Sequence, residues 1–132
     1  MMNIAIKTNL VPEAIGPYST AIETKGNCQK TVYVSGQLPI DAATGEFAGS
    51  DIKEQTTQSL KNLRGILNAA DMDLSDVVKT TVFLSDITEF AAMNEVYGEF
   101  FAEPYPARSA FQVAALPKNA RVEIEAIAVK SN

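Results

Sequence analysis

The chain has 132 residues, 46% of them hydrophobic, which is enough for one packed core and too little for two ordinary domains. Its formal net charge is -5, and its eleven basic residues form no run, which argues against DNA or RNA as a partner. We therefore expect a single domain over residues 1–132 that does not bind nucleic acid.

The absence of histidine and the presence of a single cysteine restrict the catalytic mechanisms that this chain could use. The chain contains no histidine, which excludes Ser-His-Asp and Cys-His nucleophiles, the HExxH zinc motif and the usual general base at neutral pH. Its one cysteine, Cys28, cannot form an intrachain disulfide. Neither a signal sequence nor an apolar stretch of membrane-spanning length is recognisable, so we expect a soluble, cytoplasmic protein with no membrane contact.

Hydrophobic periodicity predicts two or three strands at the start of the chain and three more after residue 76. Residues 31–37 form the clearest strand, because β-branched and aromatic residues dominate it. Gly26-Asn27 marks the turn before it, and residues 39–49 are predicted to be a loop. The predicted strands are residues 4–7, 18–23, 31–37, 77–84, 109–113 and 122–129.

Two helices are predicted between these strands. The first begins near Asp51, because Asp51 and Glu54 have the spacing of a capping box, and runs to about Ala70. The second covers residues 88–101, with the polar Asn94 on its apolar side. The apolar residues of that side are Phe90, Met93, Tyr97, Phe100 and Phe101.

The order of elements predicts an α+β fold in which two helices pack on one face of a mixed sheet. The opposite face would carry Ile127 and Val129 beside Glu123 and Glu125, because alternate residues of a strand share a face. An apolar sheet face without a covering layer usually meets another subunit. We therefore expect a homo-oligomer.

Arg108 is the first candidate for a functional residue. The run Pro106-Ala107-Arg108-Ser109 delivers it to the mouth of a strand, where the guanidinium fork could grip a planar carboxylate or phosphate. The ordinary alternative is a surface arginine in a rim salt bridge.

Glu123 and Glu125 are the candidate carboxylates, and the alternative is that both are simply exposed on a strand edge. Partial burial would raise a carboxyl pKa toward the range of a general base, and a nearby arginine would lower it. If the last two strands formed a simple hairpin, Arg108 would face Ala128, about 16 Å from Glu123. Either another strand lies between them, or the two groups meet across a subunit boundary.

Three further positions carry both a functional and an ordinary interpretation. Gly36, at the end of a strand, either makes a turn or lets the backbone approach a ligand. Tyr18, after Gly16-Pro17, is either a strand aromatic or a hydroxyl at a pocket edge. Asn94 more often satisfies core backbone groups than contacts a ligand.

Taken together, these segments resemble the RidA (YjgF-type) reactive intermediate deaminases from about residue 5 to residue 130. The resemblance implies a chorismate-mutase-like α+β fold with the last strand inside the sheet. It also implies a homotrimer with three small-molecule sites in the clefts between subunits. The segments that carry it are Ile15-Gly16-Pro17-Tyr18, Ser35-Gly36-Gln37, residues 78–83, Met93-Asn94, Pro106-Ala107-Arg108-Ser109 and Val122-Glu123-Ile124-Glu125-Ala126.

The family activity is hydrolysis of 2-imino acids such as 2-iminobutanoate and 2-iminopropanoate to 2-oxo acids and ammonia, without metal or cofactor. The resemblance implies that Arg108 holds the substrate carboxylate, that Glu123 holds and polarises the attacking water, and that Tyr18 closes the pocket edge. The remaining positions implied to line the substrate site are Ser35, Gly36, Phe90, Asn94 and Ala110.

This chain departs from the family pattern at two places. Many active members have a cysteine where this chain has Ala110, which excludes a thiol role, and the hairpin at residues 25–30 is longer than usual. Two other functions remain open: a non-enzymatic protein that binds small carboxylates, and RNA cleavage or translation inhibition. The acidic charge and the lack of histidine weigh against the RNA function.

Overall fold

A computed structural model of the protein describes residues 2–26 and 28–131. One six-stranded sheet is covered on one face by two helices. The strands are β1 (Met2–Ile6), β2 (Ala21–Lys25), β3 (Gln29–Gln37), β4 (Ile40–Asp41), β5 (Glu46–Phe47), β6 (Val77–Leu84), β7 (Ala107–Gln112) and β8 (Val122–Ser131), and the helices are α1 (Ile52–Ala69) and α2 (Phe90–Phe100).

The large sheet has the strand order β1-β2-β3-β8-β6-β7, and β4 and β5 form a separate small hairpin. All neighbouring strands are antiparallel except β6 and β7, which are parallel. The last strand, β8, therefore lies inside the sheet, and β6 separates it from the edge strand β7. This confirms that the strands carrying Arg108 and Glu123 do not form a simple hairpin.

The predicted α+β architecture is confirmed, and the start of α1 is as expected. Asp51 accepts a hydrogen bond from the backbone nitrogen of Glu54, and the Glu54 side chain accepts one from the backbone nitrogen of Asp51. The core lies between the helices and one face of the sheet. The largest fully buried side chains are Leu60, Leu63, Ile66, Leu67, Leu84, Met93 and Ile124.

Strand β8 shows how the two faces of the sheet differ. Val122, Ile124 and Ala126 are buried beneath the helices, whereas Glu123 and Ile127 are half-buried on the opposite face. That open face also carries Tyr33, which is paired with Ile127, together with Phe83 and Phe111. Half of the Tyr33 side chain is exposed. The predicted open apolar face is therefore present.

Several predicted boundaries were wrong. Strand β2 begins at Ala21 instead of residue 18, because the Tyr18 backbone nitrogen donates to the Gly16 carbonyl in a tight turn that precludes strand pairing. The predicted loop 39–49 contains the β4–β5 hairpin, and a short 3₁₀ turn, Ile87–Glu89, precedes α2. In the predicted Gly26-Asn27 turn, Asn27 lies outside the described residues. Across the two described ranges, no helix combines the length and apolar character needed to cross a membrane.

Candidate functional site

Arg108 is the second residue of β7 and lies beside Thr80 of β6, so its side chain is on the helix-covered face of the sheet. Its Nη1 donates a 2.7 Å hydrogen bond to Oδ1 of Asn94 in α2. The guanidinium carbon lies 5.3 Å from the ring centre of Phe90 and 4.6 Å from that of Tyr97. We call Arg108, Asn94, Phe90 and Tyr97 the arginine cluster.

The arginine cluster contains a positive charge that has no acidic partner in the part of the chain that the structure describes. Four ion pairs occur among the described residues, and Arg108 is in none of them. Aromatic faces and one amide oxygen accommodate the guanidinium without neutralising it. Such a fork retains N–H donors for a carboxylate, which is the anion whose geometry it matches.

The sequence of α2 explains how the cluster forms. Asn94 follows Phe90 by four residues and precedes Tyr97 by three, so the three side chains lie on one face of the helix. Of the two interpretations of Asn94, hydrogen bonding to core backbone groups does not hold, because Asn94 is exposed and accepts the hydrogen bond from Arg108. Its place in the substrate site, which the family resemblance implies, stays a prediction.

Glu123 belongs to a second group of residues, on the open face. Strand β3 has a bulge opposite β8: Val34 pairs with Ala126 and Gln37 with Ile124, which leaves one extra residue on β3. At this bulge, a Cβ on Gly36 would lie 2.8 Å from the carboxyl carbon of Glu123 and closer still to Oε2. Only glycine leaves room for the carboxylate here, so the close approach at Gly36 is to Glu123. The approach of this backbone to a ligand stays a prediction.

The loop that carries Tyr18 is tied to the same bulge. Ser35 Oγ donates to the Ser19 carbonyl at 2.7 Å, and the Ser35 backbone nitrogen donates to the Thr20 carbonyl at 3.0 Å. Tyr18 is 56% exposed. Tyr18 and Ser19 line a cavity of about 780 Å³ beside the loop that follows β1. We call Glu123, Gly36 and Ser35, together with Tyr18 of the loop bonded to Ser35, the glutamate cluster.

Burial raises the pKa of the Glu123 carboxyl, and the negative charge of the neighbouring Glu125 raises it further. Both effects disfavour the charged form. A carboxyl group with a raised pKa is better matched to proton transfer near neutral pH than an ordinary glutamate.

The two clusters do not meet within the chain. Arg108 is level with Thr80 and Ala126, whereas Glu123 is level with Phe83. Arg108 and Glu123 are therefore two strands apart, about 10 Å, and offset by three residues, about 10 Å more. They also point to opposite faces of the sheet.

Three further residues lie close to Arg108: Ala110, Tyr97 and Thr80. Ala110 is half-buried in β7 and packs against the core, two residues from Arg108. The sequence analysis did not identify Tyr97 or Thr80 as site residues. The spacing of three residues between Asn94 and Tyr97 was a signal for Tyr97, because it puts these two side chains on one face of α2. Within residues 2–26 and 28–131, no group of three or more His, Cys, Asp or Glu side chains could hold a metal ion.

Comparison with known proteins places this geometry in a family. A family model described as "Endoribonuclease L-PSP" matches residues 8–130. The chain is 55% identical to "RutC family protein y4sK" of Sinorhizobium fredii, over 92% of this chain and 94% of that protein. It is 46% identical to the human "2-iminobutanoate/2-iminopropanoate deaminase", over 95% of this chain and 88% of that protein.

A solved structure gives the same result for the fold. The crystal structure of E. coli TdcF with bound serine superposes with a TM-score of 0.87 at 44% identity, covering 97% of this chain and 99% of that one. The sequence motifs, the sheet order and these matches agree. The chain belongs to the RidA (YjgF-type) family, whose family model is described as Endoribonuclease L-PSP.

Proposed function

We propose that this protein is a hydrolytic deaminase that converts small 2-imino acids, 2-iminobutanoate and 2-iminopropanoate, to 2-oxo acids and ammonia. The observation that carries the proposal is the unpaired guanidinium of Arg108, held by Asn94 and by two aromatic rings. The name of the human relative and the serine bound in TdcF, a small molecule with a carboxylate, support it.

The proposed active unit is a homotrimer in which each site lies between two copies of the chain. Arg108 lies on the edge strand β7, and Glu123 lies on the open apolar face. In a cyclic assembly the edge of one copy can meet the face of the next, which would bring the arginine cluster to the glutamate cluster of a neighbour. Covering Tyr33, Phe111 and Ile127 would also remove exposed apolar surface from water.

In the proposed reaction, Arg108 binds the substrate carboxylate through two parallel hydrogen bonds and so orients the imine carbon. Glu123 accepts a proton from a bound water as the water oxygen bonds to that carbon. As that bond forms, the C=N π electrons move to the nitrogen, and Glu123 returns its proton there. Glu123 then accepts the hydroxyl proton as the C–N bond breaks, the carbonyl of the 2-oxo acid forms and ammonia leaves. Tyr18 closes the edge of the pocket, beside Ser35 and Gly36.

This chemistry demands little of the protein. A protonated imine is already electrophilic, so a positioned water and a carboxylate of raised pKa are sufficient, without a metal or cofactor. Phe90 and Ala110 would face the substrate from the arginine side. We further propose that the protein works as a single domain in the cytoplasm.

A coupled assay tests the proposal. A dehydratase that generates 2-iminobutanoate is mixed with wild type, Arg108→Ala or Glu123→Gln, and the release of 2-oxobutanoate is followed. Wild type should accelerate release, and both variants should lose most of that acceleration. If the folded wild-type protein gives no acceleration over buffer, the deaminase proposal is wrong.

The same unpaired guanidinium also suits a second function, binding of a small carboxylate without catalysis. In that case Arg108→Ala would abolish binding, whereas Glu123→Gln would bind normally and wild type would have no activity. RNA cleavage, which the description of the family model suggests, is disfavoured by the net charge of -5 and the lack of histidine.

A further inference from the structure

Among the described residues, the guanidinium of Arg108 lies over two aromatic rings, and Tyr97 is the nearer one. The distance to the ring centre is 4.6 Å, against 5.3 Å for Phe90. Both values are within the roughly 6 Å over which a cation is attracted to a ring face. Tyr97 is only 5% exposed, whereas Arg108 is half-buried, so the contact shields one face of the guanidinium and leaves the rest open to solvent or a ligand.

Two contacts hold the Tyr97 ring in place, one at its hydroxyl and one at its ring. Its hydroxyl lies 2.7 Å from Oγ1 of Thr80, in a buried hydrogen bond. Thr80 is the residue that pairs with Arg108 across the β6–β7 ladder. On the helix side, the Phe101 ring packs against Tyr97 with centres 4.6 Å apart. The support beneath the arginine is thus anchored to the same part of the sheet as the arginine.

We propose that Tyr97 is a positioning residue that fixes the Arg108 guanidinium by ring stacking, so that its free N–H donors face the ligand carboxylate. This inference rests on the proposed role of Arg108 in carboxylate binding. An arginine side chain has a long flexible stem, and it binds a planar anion tightly only when the fork is already oriented. Asn94 holds one nitrogen, and the Tyr97 ring lies 4.6 Å from the guanidinium carbon.

The protonation state of Tyr97 agrees with this role. Burial raises the pKa of the phenol, while the hydrogen bond to Thr80 and the charge of Arg108 lower it by less. The phenol therefore stays neutral at physiological pH. Tyr97 supports the arginine with its ring face and does not neutralise it as a phenolate would.

Three variants of the full chain distinguish the contact of the Tyr97 ring with Arg108 from ordinary packing of buried rings. Tyr97→Leu removes the ring, Tyr97→Phe keeps the ring and removes the hydroxyl, and Phe101→Leu removes a neighbouring buried ring that does not lie over Arg108. For each variant, calorimetry measures the dissociation constants of 2-oxobutanamide and 2-oxobutanoate, and a competition titration checks that the two probes share one site. The quantity compared is the ratio of the amide constant to the carboxylate constant. Only the second probe has a carboxylate.

Tyr97→Leu should weaken 2-oxobutanoate binding about 10-fold and leave amide binding unchanged, so that the ratio falls by the same factor. Tyr97→Phe should largely restore the wild-type ratio, and Phe101→Leu should keep it. If Tyr97→Leu does not fold, Tyr97→Met takes its place with the same expectation.

The positioning role is overturned if the leucine or methionine variant keeps the wild-type ratio. It is also overturned if Phe101→Leu lowers the ratio as much, or if Tyr97→Phe fails to restore it. These binding readouts are independent of turnover. Failure of wild type in the deaminase assay, together with a lowered ratio for Tyr97→Leu, would refute the deaminase proposal and support the positioning role.

Discussion

The carboxylate of Glu123 lies over the backbone of Gly36, so close that a Cβ at residue 36 would be 2.8 Å from the carboxyl carbon. The side-chain end of a glutamate is flexible and can move away at modest cost. Gly36→Ala should therefore leave the fold intact, displace the carboxylate from its place at the β3 bulge, and lower the deaminase kcat by about 100-fold.

The matched control for this change is Gly98→Ala. A Cβ at Gly98 would meet no atom within 4 Å, and the residue lies within α2. This variant should keep full activity and gain about 0.5–1 kcal/mol in the free energy of unfolding. Full activity in Gly36→Ala, with unchanged folding, would contradict the placement of Glu123 in the site.

The raised pKa of Glu123 predicts a specific pH dependence. The deaminase rate should fall as the pH drops through this pKa, above the ordinary value of 4.5, because protonated Glu123 cannot accept a proton from water. Glu125→Gln removes the neighbouring negative charge, so the acidic limb of the pH–rate profile should move to lower pH. An acidic limb that does not move would show that Glu125 does not influence the essential group.

The same group affects stability with a definite sign. The folded-state pKa of Glu123 lies above its unfolded value, so its contribution to stability is present below the unfolded pKa and is lost as the pH rises through the folded pKa. Because glutamine does not titrate, Glu123→Gln should not show this decrease in the free energy of unfolding as the pH rises. Urea unfolding of wild type and variant, below and above that window, measures the difference.

Asn94→Asp tests whether the charge of Arg108 is reserved for a ligand. The new carboxylate would lie where Oδ1 of Asn94 now accepts a 2.7 Å hydrogen bond, and it would pair with the guanidinium. The KM for the imine should rise about 10-fold with little change in kcat, because the ion pair competes with substrate. Asn68→Asp, the same change at an exposed position of α1, should have no effect on KM.

Ile127→Lys tests the open face of the sheet. Ile127 is half-buried there and is paired with the exposed Tyr33, so a lysine would place a charge inside any interface formed by this face. Light scattering after size exclusion should show a trimer for wild type and a monomer without activity for the variant. Ile87→Lys, which changes an exposed isoleucine outside the sheet, should remain trimeric.

Local signals in the sequence predicted local structure well. The capping box at Asp51 and Glu54 placed the start of α1, because its hydrogen bonds join residues three apart. The same reasoning failed at Tyr18, where a tight backbone turn to Gly16 displaced a strand that the side chains favoured. Strand propensity depends on the side chains and takes no account of a backbone hydrogen bond such as the one from Tyr18 to Gly16.

Contacts between distant elements were harder to predict. The cation–π contact of Arg108 with Tyr97 joins β7 to α2, and the approach of Glu123 to Gly36 joins β8 to a bulge in β3. Neither contact follows from spacing along the chain, because sheet order and the bulge create both. The family resemblance supplied the expected roles of Glu123 and Arg108, and the sheet revealed that they lie on opposite faces.

The most direct test is a mixed-subunit experiment with Arg108→Ala and Glu123→Gln. Each inactive variant is measured alone and after co-refolding of equal amounts. If each site takes Arg108 from one copy and Glu123 from the next, random mixed trimers should have about one quarter of their sites intact and recover about one quarter of wild-type activity. Refolded mixtures that remain as inactive as either variant alone, although mixed trimers have formed, would contradict a site shared between subunits.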